Sequence, residues 1–97
     1  MMRQPYVLII HEVAEYTLWK QIFDKAAGIR KEAGEISYQV LRNIDEPNLI
    51  VHFSVWSSHA KAKIFFESAS LIKIREEAGV KEPKFIYLDQ MEQGKLE

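Results

Sequence analysis

The chain contains no cysteine, so it has no disulfide framework, no thiolate metal site and no cysteine nucleophile. That usage fits a reducing cytoplasm. It also lacks an excess of charge of either sign: the formal net charge is −1, and its basic residues mostly sit beside acids, as in "KEAGE" and "KIREEAG". A nucleic-acid partner is not expected from such a pattern. No apolar run comes near the roughly 18 residues that a membrane span needs. The stretch "MMRQPYVLII" carries one arginine and no small-residue cleavage pattern, so it reads as a first strand and not as a signal peptide. Glycine and proline are few, 4 and 3 among 97 residues, and they fall where turns are needed. Disordered and collagen-like classes are thereby excluded.

What is present is an ordinary apolar fraction, 47 %, arranged with clear periodicity. "PYVLIIHEVA" is β-branched and predicts a strand over about residues 6 to 13. From Tyr16 the spacing turns helical, with Leu18, Ile22, Ile29 and Ala33 on one stripe and Trp19, Phe23 and Ala26 widening it. Gly34 ends that helix. "EISYQVLRN" and "LIVHFSVW" flank the turn sequence "IDEPN" and predict an antiparallel hairpin. Ser57 or Ser58 can cap a second helix through Phe65 and Phe66, and Ser70 a further segment stopped by Gly79. Pro83 then opens a last strand, "KFIYLDQM". "EAG" recurs 45 residues apart, each time closing a helix before a strand. The order is βαββαβ, an α+β ferredoxin-like fold in a single domain over residues 1–95. Leu96-Glu97 reads as a cloning remnant.

The strand at 49–56 has two unlike faces. Leu49, Val51, Phe53 and Val55 are wholly apolar, whereas Ile50, His52, Ser54 and Trp56 are half polar. Pairing Asn43 with Asn48 sets Val40 against Val51, Tyr38 against Phe53 and Ile36 against Val55. This register gathers one apolar face, expected to lie under the helices. The other face then collects Ser37, Gln39 and Leu41 with His52, Ser54 and Trp56. Val7, Ile9, His11 and Val13 join it, as do Phe85 and Tyr87. So apolar a surface needs a cover, and a second copy packed sheet to sheet supplies one, giving a homodimer.

Several residues on that face carry chemistry. His11 and His52 are candidate acid/base groups, because an enclosed imidazole can exchange a proton near neutral pH. The plainer reading gives each a hydrogen bond across the dimer seam. Trp56 can stack on a small aromatic ligand or simply fill the interface. Ser37, Gln39, Ser54 and Tyr87 can orient a phenol or its oxyanion, or form a polar network. No metal site is expected, since no carboxylate of matching parity lies beside the histidines and Glu12 faces the other way. Trp19 and Phe23 suit packing, and His59 a solvated helix start. No Gly-rich phosphate loop, Ser-His-acid set or HExxH motif occurs.

"VAEYTLWKQIFD", "AGEISYQVLRNIDEPNLIVHFSVWSS" and "EEAGVKEPKFIYLD" together resemble the dimeric α+β barrel superfamily, and within it the antibiotic-biosynthesis-monooxygenase-like proteins. The resemblance covers nearly the whole chain. It implies a homodimer with a cavity in each protomer, two sheets forming a barrel, and no cofactor: enzymatic members oxygenate phenols without metal or flavin. Trp56 matches a pocket tryptophan of the related haem-degrading branch, and His11 stands near an asparagine of that branch. Its haem-ligating histidine has no counterpart here, and Ser54 replaces a glutamate common in the family. The function expected is a cofactor-independent monooxygenase acting on a small phenolic or quinol-type substrate. The competing expectation is a non-catalytic ligand-binding or structural homodimer.

Overall fold

The computed structural model describes residues 4–97. Met1 to Arg3, part of the stretch read as leading into the first strand, lie outside the described residues. Four strands and four helices follow in the expected order: β1 Pro5–Val13, α1 Tyr16–Lys25, α2 Ala27–Ala33, β2 Glu35–Arg42, β3 Leu49–Trp56, α3 His59–Phe66, α4 Ala69–Glu77 and β4 Val80–Asp89. The strands form one antiparallel sheet in the order β2-β3-β1-β4, which is the ferredoxin-like α+β fold. Among the described residues no helix is long and apolar enough to cross a membrane.

Local chemistry explains the boundaries. Ala26, with ψ at 0°, breaks the first helical stretch into α1 and α2. Gly34 ends α2 at φ 121°, where a Cβ would stand 2.7 Å from Ser57 Oγ. Ser58 Oγ accepts from Lys61 N at the start of α3. The cap of α4 is Ser68, which accepts from Leu71 N, and not the expected Ser70. β4 begins at Val80, ahead of Pro83. Proline is tolerated there because β4 is an edge strand, and its register against β1 shifts between Ile10 and Glu12.

The sheet corrects the expected arrangement of faces. Val7, Ile9, His11 and Val13 of β1 lie under the helices together with Ile50, His52, Ser54 and Trp56 of β3, all buried. Phe85 and Tyr87 share that side, opposite Ile9 and Val7. The grouping on these three strands is as expected, but the half-polar face is the one covered by the chain's own helices. Tyr6, Leu8, Ile10, Val51, Phe53 and Val55 occupy the opposite, uncovered face, each only partly buried.

β2 differs further. Its observed register pairs Val40 with His52 and Leu41 with Val51, one residue away from the expected pairing. The turn sets this shift. Asn43 Oδ1 accepts from the backbone N–H groups of Asp45 and Glu46, Leu49 N donates to Glu46 O, and Asn43 N donates to Leu49 O. Asn43 therefore meets Leu49 and not Asn48, and every β2 side chain shares its face with the other set of β3 residues. Tyr38 and Val40 lie on the helix side as expected, but beside Ser54 and His52 and not Phe53 and Val51, while Ser37, Gln39 and Leu41 share the uncovered face with Val55, Phe53 and Val51.

Candidate active site

Two apolar clusters fill the space between sheet and helices. One gathers Val7, Ile9, Trp56, Ala62, Phe66 and Leu71; the other gathers Val13, Trp19, Phe23, Ile50 and Ala78. A cavity of about 70 Å³, partly open to solvent, lies where they meet, and both His11 and His52 line it. The rest of its wall is largely aromatic and aliphatic, including Trp19, Phe23, Phe65, Phe66 and Phe85.

His52 is held by a buried charged pair. Its Nε2 lies 2.7 Å from Glu35 Oε2, and with the proton on Nε2 it donates to that carboxylate. The other carboxylate oxygen is 3.2 Å from Arg30 Nη1. All three side chains are at least nine-tenths buried. The Arg30–Glu35 contact is an ion pair by distance without hydrogen-bond alignment, since Arg30 Nε and Nη1 find no protein acceptor. The guanidinium is instead supported by rings, 3.6 Å from the centroid of Phe23 and 4.9 Å from that of Tyr38. The Phe23 ring also meets His52 edge-on at 4.9 Å. Glu35 thus fixes the ring orientation of His52.

His11 is the opposite case. It is diagonal to His52 on the neighbouring strand, since Ile9 pairs with His52 and His11 with Ile50. Its ring lies 5.3 Å from that of Trp19, and both of its nitrogens are buried without a partner. Burial lowers its pKa from 6.5 to about 4, with the nearby His52 and Arg75 adding to the effect. At neutral pH His11 therefore offers one donor and one acceptor, both unused, to whatever occupies the cavity.

The linkage to folding follows from the sign of that shift. His11 takes up its proton near pH 6.5 when unfolded but only near pH 4 when folded. Its contribution is fully present above pH 6.5 and is lost as pH falls to about 4. The loss expected over that window is about 3 kcal/mol. Urea midpoints measured from pH 7.5 to 4 should fall more steeply for the native chain than for His11→Gln. Parallel curves would show that His11 is not buried neutral.

The other expected site residues are divided by the sheet. Trp56 is fully buried, its Nε1–H donating to Ser54 Oγ at 2.8 Å, with Phe65 and Phe66 against its ring. The pair stands beside the cavity without lining it. Tyr87 is half-buried on the same side, with Lys63 Nζ 5.1 Å from its ring centroid. Burial, and secondly Glu67, raises its pKa. Ser37 and Gln39 are exposed on the far face, paired with Val55 and Phe53, because of the β2 register.

Glu35 and Arg30 are the residues that sequence parity missed. A bulge between Glu35 and Ser37 lets Glu35 point under the helices although Ser37 does not. The available signal was chemical: a buried histidine needs a partner, and Glu35 follows the chain-reversing Gly34.

Residues 14–77 match the family model described as antibiotic biosynthesis monooxygenase. The chain belongs to that family. No curated protein matches it in sequence. Among solved structures it is similar to SnoaB, a cofactor-independent oxygenase from Streptomyces nogalater, at 13 % identity over 95 % of this chain and 97 % of that one, with a TM-score of 0.77. A putative antibiotic biosynthesis monooxygenase from Bordetella bronchiseptica is 17 % identical over 98 % and 100 %, with a TM-score of 0.73. ActVA-Orf6 of Streptomyces coelicolor, a monooxygenase solved with nanaomycin D, is 12 % identical over 98 % and 94 %, with a TM-score of 0.66. At these identities the three structures show the family's shared fold.

Proposed function

We propose that the protein is a cofactor-independent monooxygenase acting on a small phenol or quinol, and that it works as a homodimer. The observation that carries this reading is the pair of imidazoles in one largely apolar cavity, one bound to a carboxylate and one with both nitrogens free. Family membership and the oxygenase activities named for SnoaB and ActVA-Orf6 support it.

The two histidines have different roles. His52, its ring oriented by Glu35, takes the hydroxyl proton. His11, neutral, hydrogen-bonds the substrate oxygen and orients the ring. The electron-rich quinolate then reduces oxygen directly, and a carbon–oxygen bond forms at a ring carbon. Loss of that carbon's hydrogen and of the distal oxygen as water leaves a carbonyl. For hydroquinone the balance is one quinol and one O2 giving one hydroxyquinone and one water, with all four electrons supplied by the substrate. Trp56, held by Ser54, acts from behind the wall by fixing Phe65 and Phe66.

Oxygen uptake tests the reading. His52→Ala should lower kcat by about 10²–10⁴, and His11→Ala/His52→Ala should abolish turnover while the two-chain mass remains. Undiminished turnover in the double variant would remove both histidines from the chemistry. The modest cavity volume favours one second reading, a dimer that binds a small ligand without turnover. Saturable binding with no oxygen consumed would decide for it.

A further inference from the structure

The oxygenase reading leaves the substrate's charge and size open, and the same cavity bears on both. Four of its lining side chains are titratable, namely His11, Arg30, His52 and Arg75, and no carboxylate lines it. Glu35 sits behind Arg30 and His52 and offsets the charge of Arg30. His11 is neutral. Arg75 is the exception: it stands on α4, half-buried, with no ion-pair partner among the described residues. Its Nη1 donates to Phe66 O at 3.0 Å, and its guanidinium carbon is 5.0 Å from the Phe85 centroid. Most of its five N–H donors remain for a ligand. A partly desolvated guanidinium among rings, with no acid beside it, suits a planar carboxylate, which it can bind through two parallel hydrogen bonds.

Volume limits the rest of the ligand. At about 70 Å³ the cavity is smaller than the ~150 Å³ that holds benzene in an engineered core. One ring can enter if a half-buried wall residue such as Ile22, Phe65 or Ile74 moves aside; a fused polycycle would displace core.

We propose that the substrate is a single-ring hydroxylated aromatic acid, its carboxylate held by Arg75 while its ring lies between His11 and His52. This rests on the oxygenase reading of the cavity but is measured separately from it. The test is anaerobic calorimetry at pH 7.5 with 2,5-dihydroxybenzoate and hydroquinone, which differ by one carboxylate, followed by oxygen uptake with both.

The native protein is expected to bind the acid about ten- to a hundredfold more tightly than hydroquinone. Arg75→Gln should erase that preference while leaving hydroquinone affinity within about twofold, and Arg75→Lys should restore part of it. Equal preference in the native and Arg75→Gln proteins, or no binding of either ligand, would overturn the proposal. So would equally tight binding of 1-hydroxy-2-naphthoate, which adds a fused ring. A preference for the acid that depends on Arg75 but brings no oxygen uptake would retire the oxygenase reading and keep the anion site. Oxygen uptake without the preference would do the reverse.

Discussion

Replacing Glu35 by leucine is expected to destabilise the fold by about 3–5 kcal/mol, the range for removing one member of a buried ion pair. The reason is what remains. Arg30 is 5 % exposed and would keep its charge with no carboxylate to offset it, while its ring contacts with Phe23 and Tyr38 are too weak to compensate. His52 would lose the acceptor that fixes its ring. The double replacement Arg30→Met/Glu35→Leu should cost less than Glu35→Leu alone, because it removes both charges and leaves apolar volume in their place. Urea denaturation of the three proteins at pH 7.5 provides the comparison. If the double variant is less stable than the single one, Arg30 contributes through packing and not as the partner of Glu35. Oxygen uptake adds a second readout: Glu35→Gln keeps the shape but leaves Arg30 without its counter-charge and weakens the hold on the His52 ring, so stability and turnover should both fall.

The same pair shows where sequence periodicity stops being informative. Strand and helix order, the helix end at Gly34 and the unequal faces of β3 were legible, because they depend on spacing and on turn residues. Membership of the half-polar face was legible for β1, β3 and β4. Which side the helices cover was not, since alternation sorts side chains into two faces without saying which is inside. Preferring the wholly apolar face as core assumed that polar groups would avoid burial. The protein instead buries His52 with Glu35, and Ser54 with Trp56, as hydrogen-bonded pairs.

The errors on β2 have two local sources. The Asn43 side chain folds the turn back on itself and moves the pairing by one residue, which separates Ser37 and Gln39 from His52, Ser54 and Trp56. The bulge before Ser37 then returns Glu35 to the inner face. Parity counting breaks at each point. His11 and His52 fall on one face as expected because the β1–β3 register is unbroken from Tyr6 to Glu12. Arg30 and Arg75 lie on helices, where strand alternation has nothing to say.

The corrected faces also relocate the proposed dimer contact, with a large expected effect. The uncovered side of the sheet carries Tyr6, Leu8, Ile10, Val51, Phe53 and Val55 on its two central strands, flanked by Leu41 and Leu88, which are 49 % and 38 % exposed. Tyr6 and Phe53 stack on this surface at 4.9 Å. A second copy placed against it across a two-fold axis would bury apolar area on both chains. Val51 lies near its middle, between Ile10 and Leu41. Val51→Asp would place two carboxylates in one dry interface, a penalty of several kcal/mol, and should weaken association by more than about a hundredfold. Native mass spectrometry at micromolar concentration should then show one chain where the unaltered protein shows two. The melting temperature of the unaltered protein should rise with its concentration, and that of Val51→Asp should not. Because His11 and His52 lie on the opposite face, their replacement should leave the two-chain mass in place. A histidine variant that dissociates would return the half-polar face to the seam, and a native one-chain mass would leave the apolar face without its second copy.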